Sequence, residues 1–270
     1  MFSVRIVSTD HYMATPVRGL DAMYADQRGS EVKKVPIVRI FGSTPAGQKT
    51  CMHVHGVFPY LYVPYDGTLP WDRYLRQFAS SLDKAINVAQ GYGQSNLQHV
   101  YKIVLVTGRS MYGYHDADQE FLKIYLYNPI MIRKAADLLL GGAVFNKPFQ
   151  PHEAHIPYTL QLFIDYNLYG MNMINVGAVK FRRKRDTEAD AVILSQGSEK
   201  GHGFLPKTPV SFTGLLNRSG SVTPSQQLWD FENIPSEMLL DHAVERLTTC
   251  ELEVDVVAAD ILNRQEVVGK

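Results

Sequence analysis

Lys180-Phe181-Arg182-Arg183-Lys184-Arg185 places five cations in six positions beside an aromatic ring. Such a run can hold several phosphates, because each cation that neutralises one releases a condensed counterion. The same composition also serves as a nuclear import signal. The plainer reading is a solvated strand end entering a loop, since basic runs of this length are common on surfaces. Tyr112 and Tyr114 lie in a Gly-containing loop, where rings can stack on bases for about 1–3 kcal/mol each. The nucleic-acid-binding candidates are therefore Lys180, Arg182, Arg183, Lys184, Arg185, Tyr112 and Tyr114. Phe58, Tyr60, Tyr62, Tyr65, Tyr125 and Tyr127 read mainly as core packing, because aromatic residues favour strands for that reason alone.

Two further groups invite a metal or acid–base reading. His53 and His55 share one face of a strand, and His152 and His155 flank Glu153. Neither set has HExxH spacing and no cysteine pair accompanies them, so they read as capping and packing groups and no metal site is assigned. Glu251, Glu253 and Asp255 alternate along one strand face, with Asp260 beyond. Two-metal chemistry needs carboxylates converging from several elements on ions about 3.5–4 Å apart. The run reads instead as a solvated strand, and no catalytic residue is assigned. Gly42 to Thr50 ends like a phosphate-binding loop, but Gln48 separates Gly47 from Lys49 and the stretch reads as a hairpin turn.

Composition narrows the class. The chain has 270 residues, 45% of them hydrophobic, enough to bury a sizeable core. Lys and Arg total 27 and Asp and Glu total 27, so no global field steers the protein onto nucleic acid and any contact must be local. Cys51 and Cys250 lie far apart with no CxxC pair or His spacing around either, which disfavours both a zinc site and a disulfide framework and favours a reducing compartment. No apolar run reaches about 18 residues and the N-terminus alternates like a strand, so neither a membrane partner nor a signal peptide is expected.

These residues must be positioned by a short list of elements. Val4 to Ser8 and Val35 to Phe41 read as strands separated by a polar surface loop, Asp21 to Lys33. Thr50 to Val63 reads as one strand that bends at Gly56 and Pro59. Leu75, Phe78, Leu82, Ile86 and Ala89 recur at helical spacing from Trp71, and Gly91 and Gly93 stop that helix. Tyr101–Thr107 and Phe121–Tyr127 read as neighbouring strands, and Asn128-Pro129 starts a second helix. His155 to Leu168 carries an apolar stripe of Ile156, Leu160, Phe163, Ile164 and Leu168, and Met173 to Phe181 reads as a strand. The organisation expected is a domain over residues 1–181, a flexible linker over 182–227 and a return segment over 228–270. Strand, helix, strand, strand, helix is the order of a ferredoxin-like or RNA-recognition-like sandwich in an α+β fold, an antiparallel sheet with helices on one face. Its other face could bind single strands.

The identities themselves are distinctive. Val35-Pro36-Ile37-Val38-Arg39-Ile40-Phe41-Gly42, Val54-His55-Gly56-Val57-Phe58-Pro59-Tyr60-Leu61-Tyr62-Val63, Tyr112-Gly113-Tyr114-His115, Lys123-Ile124-Tyr125-Leu126-Tyr127-Asn128-Pro129 and Pro151-His152-Glu153-Ala154-His155-Ile156-Pro157-Tyr158 run through most of the chain. Together they resemble the opening of B-family DNA polymerases, and within that family the translesion zeta branch. The resemblance implies an N-terminal domain that packs against exonuclease-like and palm domains and borders the template path. It implies primer-template DNA, the remaining polymerase domains and accessory subunits as partners, and the nucleus as compartment. Phosphoryl transfer in this family uses palm carboxylates and Mg²⁺, and 270 residues hold no complete palm. Mg²⁺ and an iron–sulfur cluster would belong to parts of the polymerase beyond this chain, with no cofactor in the chain itself. The alternative is a stand-alone single-strand-binding or adaptor protein from a truncated transcript.

Overall fold

The structure is a computed structural model that describes residues 1–25, 29–65, 67, 71–110, 113–182, 227–230, 232–241, 244, 248 and 250–263. Nearly all of the expected linker therefore lies outside the described residues.

The described residues form two sheets. The larger is six-stranded, in the order β7-β1-β2-β3-β9-β8. Its members are β1 (Phe2–Ala14), β2 (Val35–Ser43), β3 (Lys49–His55), β7 (Met173–Val176), β8 (Lys180–Phe181) and β9 (Leu252–Val257). All its neighbours are antiparallel except β3 and β9, which run parallel with Cys51 opposite Glu253 and His53 opposite Asp255. The antiparallel sheet with helices on one face that the sequence predicts is the second sheet; in this larger one the return segment enters by a long crossover, which parallel pairing requires. β1 is longer than Val4 to Ser8 because it continues past a register shift between Ile6 and Ser8. Opposite that bulge, a side chain on Gly42 would run into the Arg5 carbonyl oxygen, so the close approach requires glycine.

One face of this sheet is apolar. Phe2, Val4, Ile6, Val38, Ile40, Met52, Val54, Val254 and Val256 are buried there beneath Tyr158 and Leu162 of helix α3 (Tyr158–Asp165). The stripe read from the sequence is displaced. Leu160 and Ile164 are exposed, while Gln161 is buried because its amide bonds both the carbonyl and the N–H of Tyr60. Apolar residues on both sides of a short helix leave its buried face to be decided by such a bond.

The second sheet has the order β4-β6-β5, formed by β4 (Tyr60–Pro64), β5 (Val100–Gly108) and β6 (Gln119–Leu126). Helices α1 (Trp71–Ala89) and α2 (Met131–Leu140) cover one face. Leu75, Phe78, Leu82 and Ile86 of α1 and Ile132, Ala135 and Leu139 of α2 meet Leu61, Val63, Leu122, Ile124 and Leu126. The Asn128 side chain accepts from the Ile130 N–H at 3.1 Å in the turn that leads into α2, but the cap position is Ile130, two residues later than expected, and carries no side-chain bond. Strand, helix, strand, strand, helix is thus realised, and a backbone bridge between Tyr62 and His152 stands where a ferredoxin-like fold has its fourth strand. Thr50 to Val63 is two strands in two sheets, not one bent strand, because Gly56 takes a φ of +77° and Pro59 follows.

The face opposite α1 and α2 is not an open platform. Tyr60 is 3% exposed and its hydroxyl donates to Asp165 of α3 at 2.9 Å. The Lys123 ammonium sits 3.6 Å from the Tyr60 ring centroid, and the His152 ring packs on Phe121. Phe58 stacks on Tyr101 at 3.8 Å, so most of these rings are packing groups.

Candidate functional site

Alternation that turns Met52 and Val54 into one core turns Cys51, His53 and His55 to the other face of β3, and parallel pairing sets Glu253 and Asp255 of β9 beside them. Lys180 and Arg182 flank Phe181 in the same way: Phe181 enters the apolar core and Arg182 the polar face. The result is an ionic cluster with its members at 0–2% exposure.

His55 is held at both ring nitrogens, Nδ1 at 2.8 Å from Asp21 Oδ2 and Nε2 at 2.9 Å from Asp255 Oδ1. Both nitrogens face carboxylates, so both must donate and the ring is an imidazolium. Burial opposes that charge, but the bonds to Asp21 and Asp255 outweigh it and hold the pKa at about 9. Arg182 donates to Asp255 through Nε at 2.9 Å and Nη2 at 3.0 Å, and through Nη1 to Glu253 at 3.3 Å. Burial alone would raise the Asp255 carboxyl; His55 and Arg182 instead hold it below the usual carboxylate range. His53 contacts Glu253 through Nε2 at 2.8 Å and the Tyr12 hydroxyl through Nδ1 at 2.9 Å, and its burial lowers its pKa. The Cys51 thiol, 3.6 Å from His53 Nε2, is pushed up to about 11, chiefly by burial. Arg39 and Asp10 pair at the margin of the cluster.

Several expectations change here. Arg182 is not a phosphate contact: it is buried and committed to two carboxylates. Glu253 and Asp255 are not a solvated strand face, although Glu251 is exposed and Asp260 lies half-buried elsewhere. Asp21, read in a polar surface loop, has a side chain only 1% exposed. His53 and His55 are not mere packing groups. The signal that could have revealed the cluster was complementarity between His-x-His and Glu-x-Asp, two alternating pairs about two hundred positions apart. Lys180 is half-buried and donates to the Glu237 carbonyl, and Tyr114 is fully exposed. Arg183, Lys184, Arg185 and Tyr112 lie outside the described residues.

Among the described residues the cluster's side chains are closed off from solvent. Its chemistry is that of a staple. It joins β1, β2, β3, the Asp21 loop, the segment after β8, and β9. Ions taken from water cost several kcal/mol each unless paired, so removing one partner is far costlier than the pair is worth.

Comparison with known proteins gives two adjoining family matches. Residues 1–55 match the family described as "DNA polymerase zeta catalytic subunit, N-terminal" and residues 56–133 the family described as "DNA polymerase delta catalytic subunit-like, N-terminal domain". The DNA polymerase zeta catalytic subunit of Homo sapiens is 53% identical over 99% of this chain, and that of Drosophila melanogaster 44% identical over 100%. The DNA polymerase delta catalytic subunit of Bos taurus is 33% identical over 64% of the chain. The chain spans only 8%, 11% and 16% of those three relatives. Among solved structures, the family B DNA polymerase of Pyrobaculum calidifontis aligns with a TM-score of 0.43 and 21% identity, covering 66% of this chain and 18% of that one.

Proposed function

We propose that this chain, a homologue along its length of the N-terminal region of B-family DNA polymerase zeta catalytic subunits, serves as the N-terminal domain of a translesion DNA polymerase. In this reading it supports the polymerase core architecturally, and nucleotidyl transfer is assigned to parts of the polymerase beyond the chain, where Mg²⁺ and an iron–sulfur cluster would act. Primer-template DNA, the remaining polymerase domains and accessory subunits are its partners, in the nucleus.

The observation that supports this most is the extent of the match: 53% identity runs over 99% of the chain. It therefore takes in β3 and β9 alike, whose pairing creates the ionic staple. A domain held rigid by buried ion pairs and lacking an open cleft in that cluster suits a scaffold better than a catalyst. The experiment is reconstitution in trans. The chain is mixed with a zeta polymerase core lacking its N-terminal region, and co-elution with restored primer extension is expected; a core that ignores the chain contradicts the proposal.

A second reading, autonomous single-strand binding, draws on fully exposed Tyr114 and on the cations Arg183, Lys184 and Arg185. It requires an affinity that falls steeply with salt, with a log–log slope close to the number of phosphates contacted. Neutralising Arg183, Lys184 and Arg185 together must flatten that slope.

A further inference from the structure

We propose that Cys51, His53 and Glu253 form a binding site for a divalent ion of zinc's chemistry between the parallel strands β3 and β9. One ligand atom from each residue lies within 4.8 Å of the others, and all three residues are buried. The backbone makes the set: Cys51 and His53 are alternate residues of β3, and the parallel register puts Glu253 directly beside Cys51.

The sulfur–nitrogen distance suits such an ion. Bonds of about 2.3 Å to sulfur and about 2.0–2.1 Å to nitrogen in a tetrahedral site separate the two ligand atoms by about 3.6 Å. Cys51 Sγ and His53 Nε2 are 3.6 Å apart. His53 Nε2 and Glu253 Oε1, now hydrogen-bonded at 2.8 Å, would need about 3.3 Å, so the carboxylate must withdraw by about half an ångström. On the far side of the ring, the Tyr12 hydroxyl 2.9 Å from Nδ1 supplies the outer-shell partner that orients a ligating histidine. Thiolate, imidazole and carboxylate together select zinc or cobalt over magnesium or calcium.

Charge favours occupancy. Asp21, Glu253 and Asp255 bring three carboxylates to the cluster, against the Arg182 guanidinium and the His55 imidazolium. Among the described residues the carboxylates outnumber the permanently charged guanidinium, and a divalent ion that displaces the Cys51 proton adds one positive charge beside them. The thiol proton leaves to solvent, and the His53 proton moves from Nε2 to Nδ1, facing the Tyr12 oxygen. Arg182 opposes the ion through its contact with Glu253, but its two bonds to Asp255 keep it placed when that contact lengthens.

The test uses the tag-free chain, with metal content measured by plasma mass spectrometry after exposure to excess Zn²⁺ and gel filtration. About one ion per chain is expected, together with a thiolate-to-metal charge-transfer band on Co²⁺ substitution and a Tm that falls on chelation and recovers on re-addition. Cys51→Ser should abolish the charge-transfer band. Should that variant not fold, the chelation cycle on the wild-type chain decides alone. A folded wild-type chain that retains no ion and shows no Zn²⁺-dependent Tm shift overturns the proposal, as does undiminished binding in folded Cys51→Ser and His53→Gln variants.

Discussion

The two faces of the six-stranded sheet bury side chains of opposite chemistry on one set of strands. On β3, Met52 and Val54 meet a close-packed apolar core, whereas Cys51, His53 and His55 meet a closed ionic cluster. The apolar face gains from each methylene removed from water and tolerates imperfect partners, because dispersion and hydrophobic burial have no direction. The ionic face gains little unless every member is paired. Both kinds of burial agree with one register. A one-residue slip of β9 would carry Val254 among the ions and Asp255 into the apolar core.

Four experiments break or sharpen this contrast. The largest effect is expected from Arg182→Met, which strands Asp255 and Glu253 without their guanidinium and should cost about 3–5 kcal/mol by chemical denaturation. On the apolar face, Leu162→Ala should cost about 2–4 kcal/mol as a cavity penalty, with the denaturant midpoint falling and the m-value unchanged. A loss from Arg182→Met below that of Leu162→Ala would erase the distinction between the faces.

The pH dependence should be confined to the ionic face. His55 has a folded pKa of about 9 against about 6.5 unfolded. Its stabilisation is complete below pH ~6.5 and is lost as pH rises through 9. Asp255, lowered in the fold, contributes above its unfolded pKa of about 3.9 and loses that contribution as pH falls. His53, also lowered, weakens the fold as pH drops below about 6.5. Stability should therefore peak near neutral pH and decline on the alkaline side, and His55→Gln should flatten that alkaline limb in urea titrations at stepped pH. The smallest change to stability is expected from Tyr114→Ala, within about 0.5 kcal/mol because the ring touches solvent on all sides. If the loop meets single strands, the same substitution should still weaken that binding by about 1–3 kcal/mol in a fluorescence titration.

How much of this was readable in advance follows the range of each interaction. The spacing Leu75, Phe78, Leu82, Ile86 announces α1, and Asn128-Pro129 announces α2, because caps and periodicity are local. The short helix α3 misleads because it is apolar on two sides and Gln161 decides which side is inward. The ionic cluster was hidden for a different reason. Arg182 looks like one cation among five, yet it is set apart by strand alternation beside Phe181. Register between β3 and β9 leaves no local trace across about two hundred residues. Only the matching of His53 and His55 to Glu253 and Asp255 records it.

The measurement that bears most directly on the staple is a double-mutant cycle between His55 and Arg182, two cations that meet at Asp255 without replacing each other. Unfolding free energies of the wild type, His55→Gln, Arg182→Met and the double variant would be compared at pH 7. A cooperative staple predicts a coupling of at least about 1 kcal/mol, since the first loss already disorders the shared carboxylate. Losses that add to within about 0.3–0.5 kcal/mol would show independent contacts and contradict it.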